Sequence, residues 1–312
     1  MPLHVRAARP LCILVGKAER DGGPGSNLAF VSQTATAVPD LPLIGPVEPP
    51  FVQVMTYNLK SASGRAPHSW WKRRPLVEAV LRAEQPTVLC TQEGRFRQLV
   101  ELREELDGYD WIHLGRGGGS RSESTAILWD ASRLAPMEYD HVWLSRRPRV
   151  IGSRAWGAGT VRMLTWVRFE DKATGKDFHV ANVHLDHRSE KARRKGARMC
   201  LELMRGFLGP AVLAGDFNSG PGDEAHKLLT GGGLVDAWSA AEERVTPDWS
   251  TFNRWRTRPV EGGDRIDWIL AKSGGRRQEV RVHRVGVNAH SEFDLAPSDH
   301  WPVQAVLTVG RR

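Results

Sequence analysis

Six stretches of the chain end an apolar, strand-like run in a residue suited to a metal ion or a phosphate. Residues 211–214 lead through Gly215 to Asp216 and Asn218, residues 54–58 deliver Asn58, and residues 88–93 deliver Glu93. Residues 180–184 deliver Asn182 and His184, Arg265-Ile-Asp267 adds a carboxylate, and Ser298-Asp-His-Trp-Pro302 supplies Asp299 and His300. Any one of these is more often a turn former, because Asn and Asp side chains close Asx turns. Together their types fit one task. Magnesium takes oxygen ligands, keeps several waters and is held by one or two carboxylates. Glu93, with Asp216, Asp299 and the amide of Asn58 nearby, suits it. Hydrolysis of a phosphoester also needs a base for the attacking water and donors for the equatorial oxygens. Asp216 and His300 are candidates for the base. Asn182, Asn218 and His184 are candidates for the donors, with His184 also placed to protonate the leaving oxygen. Each histidine needs a carboxylate to fix its tautomer: Asp267 for His300, Glu123 for His184.

The elements that must position these groups alternate strands and helices with hairpins. Residues 51–57 alternate as a strand, and Pro75 begins a helix with the stripe Leu76, Val77, Val80 and Leu81, closed by Pro86. Residues 87–91 form a short apolar strand, residues 96–106 a second helix, and residues 109–114 and 125–129 two further strands. Residues 163–169 and 178–185 form a hairpin around Thr174-Gly-Lys176. An amphipathic helix follows, with Ala192, Met199, Cys200, Leu203 and Phe207 on its apolar side. Strands at 211–215, 266–271, 280–287 and 301–309 complete an α/β chain whose sheets are expected to be mixed.

Composition narrows the class. A formal charge of +8 favours anionic partners. The three cysteines, Cys12, Cys90 and Cys200, are too scattered for a disulfide framework or a Cys-rich zinc site. Residues 11–15 form an apolar run too short for the core of a signal peptide, and residues 22–50 collect Gly, Pro, Ser and Ala without periodicity. Residues 1–50 are therefore expected to be a disordered extension of a catalytic domain at 51–312, and its deletion is expected to be silent. No apolar run reaches the ~20 residues of a membrane span. The expectation is a cytoplasmic monomer.

The ordered set Thr56-Tyr-Asn58, Gln92-Glu93, Asn182-Val-His184, Gly215-Asp-Phe-Asn218, Arg265-Ile-Asp267 and Ser298-Asp-His-Trp-Pro302 resembles the endonuclease/exonuclease/phosphatase superfamily, across about residues 52–309. The resemblance implies an α/β four-layer sandwich: two packed mixed β-sheets flanked by helices. It also implies divalent-metal-dependent cleavage of a phosphoester by in-line attack of water, with Mg2+ as cofactor and Mn2+ as a substitute. Carried over, Glu93 is the main metal ligand, Asn58 supports it, and Asp299 joins the metal shell or orients His300. Asp216 and Asn218 position water and phosphate, and Glu123 backs His184. For His300 both Asp264 and Asp267 fit a family register, and Asp267 matches the commoner Arg-Ile-Asp form. The segments around Trp143-Leu-Ser145, residues 152–156, Arg162 and Asn182-Val-His-Leu-Asp-His187 resemble small bacterial members, and Arg162 is taken as a phosphate-binding residue.

Substrate is the open point. Arg116 and Arg121, Arg146 to Arg149, and Arg254, Arg256 and Arg258 with Trp255 between them cluster near the site loops. Arginines around an aromatic could hold a single strand by charge and stacking, or grip a phosphorylated small molecule by bidentate pairs. Arg254 and Trp255 are the candidates for this contact. A small phosphoester substrate is preferred. The alternatives are a nuclease acting on DNA or RNA, and a catalytically dead phosphate or nucleic-acid binding module.

Overall fold

The computed structural model describes residues 40–62, 65–275 and 278–311. Residues 1–39 of the expected extension, Cys12 among them, lie outside the described residues. No helix among the described residues is long and apolar enough to cross a membrane.

Alternation of side chains along the strands determines the architecture. In β1 (Phe51–Asn58), Val52 and Val54 enter one apolar cluster while Met55 and Tyr57 enter another. Successive strand residues point to opposite faces, so this strand is buried on both sides. The same holds for β2 (Val88–Arg95) and for β4 (Glu123–Asp130), which flanks the short β3 (Tyr109–Ile112). The second sheet contains β5 (Leu134–Trp143), β6 (Met163–Asp171), β7 (Lys176–His184), β8 (Ala211–Asp216) and β9 (Val235–Asp236), with β11 (Asp267–Lys272) between the last two. The remaining strands are β10 (Glu243–Arg244), β12 (Gln278–Val287) and β13 (Val303–Arg311). The strand orders are β10-β12-β13-β1-β2-β4-β3 and β5-β6-β7-β8-β11-β9. Parallel pairs β1·β2 and β7·β8 sit among antiparallel neighbours, so both sheets are mixed, as expected.

The inner faces of the two sheets share one core, in which Val54, Cys90 and Ile127 join Phe169, Val180 and Val212. Helices α1 (Trp70–Glu84) and α2 (Phe96–Glu105) cover the outer face of the first sheet through Val77, Leu81, Leu99 and Leu102. Helices α3 (Glu190–Gly206) and α4 (Glu224–Gly231) cover the second through Ala197, Cys200, Met204 and Leu229. A one-turn helix, α5 (Ala237–Ala240), follows β9. The layers are helix, sheet, sheet and helix, the expected sandwich.

The domain boundary differs from expectation. The N–H groups of Leu43, Ile44 and Gly45 donate to the carboxylate of Glu84 at the end of α1, at 2.6, 3.1 and 2.9 Å. Asn288 Nδ2 donates to the same group at 2.8 Å, and Leu41 packs on the α1 cluster. Residues 41–45 thus belong to the packed body. Pro- and Gly-rich sequence hid this, because the segment is held by backbone donors and not by an apolar face. Glu84 is fully buried, and removing its carboxylate strands these donors. Glu84→Ala is expected to cost about 3 kcal/mol in urea denaturation. Deletion of residues 1–50 is expected to be similarly destabilising, reversing the silent deletion that the sequence suggests.

Candidate active site

The inward-facing positions of the central strands run out of apolar residues at one end of the sheets. Val54 gives way to Asn58 on β1, Val180 to Asn182 and His184 on β7, and Val212 and Ala214 to Asp216 on β8. Because β7 and β8 are parallel with His184 beside Asp216, and β11 is antiparallel with Asp267 beside Asp216, three reactive side chains arrive at one level. Gly215 permits this close approach. It has φ +150°, and a Cβ there would stand 2.0 Å from the Val183 carbonyl oxygen.

Glu93 should point away from this face, since Gln92 points into it. A register shift between Gln92 and Arg95 breaks the alternation, and Glu93 takes φ 59°. Such a bulge re-aims a side chain, here into the cleft. Lys60 and Asn218, also at the cleft, have φ 52° and 48°. Left-handed conformations at non-glycine residues are costly and concentrate at functional sites.

The cleft has a volume of about 320 Å³. Its lining includes Glu93, Asp299, Arg116, Arg162, Glu123, His184, Asp216, Asn218 and His300. A cleft of about 400 Å³ opens elsewhere, between α3 and α4, walled by Glu190, Arg193, Arg194 and Glu224. It holds none of the buried histidines or strand-end acids, so its greater volume carries no chemistry.

Asp216 is the hub. Its Oδ2 accepts from Asn58 Nδ2 at 2.9 Å and lies 3.2 Å from His184 Nε2 and 4.0 Å from His300 Nε2. Its Oδ1 accepts from the Asn218 N–H at 2.9 Å. Burial would raise its pKa, but the two imidazoles and this N–H hold it well below the usual carboxylate range. His300 Nδ1 meets Asp267 Oδ2 at 2.9 Å. Burial would lower the pKa of His300, yet Asp267 and Asp216 outweigh it and raise the value to about 10. His184 moves the other way, lowered by burial and by Arg162. His300 is therefore a cation at neutral pH and does not suit the base role for which it was a candidate.

Asp264 pairs with Arg254 at 2.7 Å, which leaves Asp267 as the partner of His300. Glu123 is not the partner of His184: it pairs with Arg116 at 2.8 Å, and the contact of His184 is with Asp216. Asn182 does not line the cleft. Its Nδ2 donates to the carbonyls of Thr91 and Ala126, both at 2.8 Å, and its Oδ1 accepts from Gln92 Nε2 at 2.7 Å. The amide is consumed in pinning the two sheets together one step below the site. Arg254 is exposed on its pair with Asp264, and Trp255 stacks on His68 with centroids 4.0 Å apart, so neither lines the cleft. Of the arginine clusters, Arg149 pairs with Asp140, while Arg116 reaches the cleft, as does Arg162. Arg162 is buried, with Nη2 3.1 Å from His187 Nδ1 and Nε without a hydrogen-bond partner.

Sequence motifs missed Lys60 and Arg73. Arg73 is fully buried and donates to the carbonyls of Leu59, Lys60, His68 and Pro297 at 2.7–3.0 Å. It ties the loop after Asn58 to the loop before Asp299, and so spaces the acids on the two sides of Lys60. No spacing in the sequence announces a guanidinium whose hydrogen-bond partners are all carbonyls.

The donors suit a hard divalent cation. Glu93 Oε1 accepts only a long bond from Asn58 Nδ2, 3.4 Å, and Oε2 one from the Ser61 N–H, 3.2 Å. Glu93 and Asp299 offer carboxylate oxygens, which is what magnesium or manganese takes, and Asn58 supports them with Nδ2 toward Glu93 and Asp216 and Oδ1 on the Lys60 N–H. A second set, Asp216, Asp267 and His300, also brings its ligand atoms within 4.8 Å. Its members are already joined through the His300–Asp267 hydrogen bond, so that set reads as a proton-holding pair beside a carboxylate.

Comparison with known proteins agrees with this geometry. A mannosyl-6-phosphatase from Bacteroides thetaiotaomicron is 31% identical, covering 82% of this chain and 99% of that one, with a TM-score of 0.76. Protein angel of Drosophila melanogaster is 26% identical, over 78% of this chain and 74% of its own length. The CCR4-Not complex 3'-5'-exoribonuclease subunit Ccr4 of Emericella nidulans is 23% identical over 71% of this chain, which spans only 42% of that protein. Residues 55–300 match the Endonuclease/Exonuclease/phosphatase family, and the chain belongs to that family of phosphoester hydrolases.

Proposed function

We propose that this chain is a divalent-metal-dependent phosphatase of a small phosphorylated molecule, a sugar phosphate being the favoured substrate. The observation that carries this reading is the cleft itself. Its 320 Å³ hold one phosphorylated small molecule, and its lining combines Glu93 and Asp299 for a cation with Arg162 and His300 for an anion. Similarity to a mannosyl-6-phosphatase supports the same class.

Glu93, Asn58 and Asp299 would hold Mg2+ or Mn2+, which supplies Lewis-acid polarisation of the phosphoryl oxygen. Asp216, kept ionised and oriented by Asn58, His184 and the Asn218 N–H, takes the proton of the attacking water. His300 holds its proton against Asp267 and presents Nε2–H to an equatorial oxygen. Arg162, which lines the cleft, binds the phosphate, and the Asn218 side chain, donating to the Leu185 carbonyl at 3.0 Å, fixes the loop that carries Asp216.

Similarity to an exoribonuclease keeps a nuclease as the second reading. A substrate panel on the full chain with Mg2+ separates them. A hexose phosphate is expected to turn over at least about 100-fold faster than an aryl phosphodiester, single-stranded RNA or plasmid DNA. Faster cleavage of RNA or DNA would transfer the assignment to the nuclease.

A further inference from the structure

Lys60 is a cleft residue for which the proposed chemistry has no task. Its Nζ lies 3.0 Å from Asp299 Oδ2 and 3.9 Å from Glu93 Oε2, so an ammonium stands between the two carboxylates assigned to the divalent cation. The backbone fixes this placement. Lys60 adopts φ 52°, its N–H donates to Asn58 Oδ1 at 3.0 Å, and its carbonyl accepts from Arg73 Nη2 and Gln98 Nε2 at 3.0 and 3.1 Å. The side chain is freer. It is 39% exposed, and a lysine stem carries a point charge on four rotatable carbons.

A divalent cation sits roughly 2.1 Å from carboxylate oxygens. Between Glu93 and Asp299 it competes with Lys60 for the same lone pairs and repels it. The ammonium then needs another anion, and the cleft it lines, shared with Arg162 and His300, is where the phosphate is received.

We propose that Lys60 trades the Glu93 and Asp299 carboxylates for the substrate phosphate when the divalent cation enters, so that metal and phosphate each bind more tightly in the presence of the other. This rests on the metal site assigned above. Coupling of this kind is reciprocal: Lys60 opposes metal alone, opposes phosphate alone by staying with the acids, and favours the pair.

The test is Mn2+ binding to the full chain, read from the electron paramagnetic resonance signal of free Mn2+, with and without inorganic phosphate. In the wild type, saturating phosphate is expected to tighten Mn2+ binding by about tenfold, within the usual range of coupling. Lys60→Met keeps the stem and removes the charge. It is expected to bind Mn2+ about tenfold more tightly without phosphate, and to lose most of the phosphate-induced gain. Lys60→Arg, which restores a cation, should return both values toward the wild type. Unchanged or weaker Mn2+ binding by Lys60→Met, or full retention of the phosphate effect, would overturn the proposal. Glu93→Gln separates the two levels. If it abolishes Mn2+ binding while Lys60→Met behaves as wild type, the metal site stands and the exchange fails. If Glu93→Gln binds Mn2+ normally, the metal site and the exchange fall together.

Discussion

Asp216→Asn is expected to lower kcat about 10³-fold or more while the protein remains folded. The amide keeps the volume and one acceptor oxygen, so one of the two donors, Asn58 Nδ2 on Oδ2 or the Asn218 N–H on Oδ1, retains its partner. What it loses is the lone pair that takes a proton from water, a contribution typically of 10²–10⁴-fold. The change also removes one of the anions that hold His300 protonated, and that adds to the loss. Circular dichroism and the urea midpoint report the fold; turnover of a hexose phosphate reports the chemistry. Wild-type turnover in the variant would remove Asp216 from the base role. The same outcome would favour neither the phosphatase nor the nuclease.

Asp267→Asn is expected to act on the pH profile. In the native protein His300 keeps its proton until pH about 10 because Asp267 and Asp216 outweigh burial. The donor is therefore present throughout the neutral range, and activity should fall only as pH approaches that value. Without the Asp267 carboxylate, burial weighs against the cation with one anion fewer to oppose it, so the pKa of His300 drops. The alkaline limb of kcat/KM should move to lower pH. Near pH 6 the variant is expected to lose about tenfold or less, from poorer orientation of the ring, and near pH 9 about 100-fold or more. Equal losses at both pH values would show that Asp267 only orients the ring.

The central strands and their terminal residues were legible because inward alternation continues through them. The period that places Val212 and Ala214 in the core also places Asp216 at its rim. The edge strand β5 was not legible. Residues 136–139 on it are largely exposed, and an edge strand held by pairing to β6 needs no apolar face. Helix α1 begins at Trp70, with Pro75 inside it rather than in its first turn. The short α4, β9, β10 and α5 carry too few residues for periodicity to show.

At the site, residue types were readable but pairings were not. Asn182 has the same strand parity as His184 but lies one step deeper, where it meets Gln92 and two carbonyls of the opposite sheet instead of the cleft. Glu123 meets Arg116 across a turn whose geometry no spacing announces. Lys60 and Arg73 belong to no motif, because their partners include carboxylates and carbonyls from loops distant in sequence.

The most direct measurement is phosphate release from a hexose phosphate by the full chain in Mg2+, followed by excess chelator and then by restored Mg2+. The account predicts turnover that chelator abolishes, that returned Mg2+ or Mn2+ restores, and that Asp216→Asn never shows. Turnover undiminished in chelator would contradict the metal assignment, and the central claim with it.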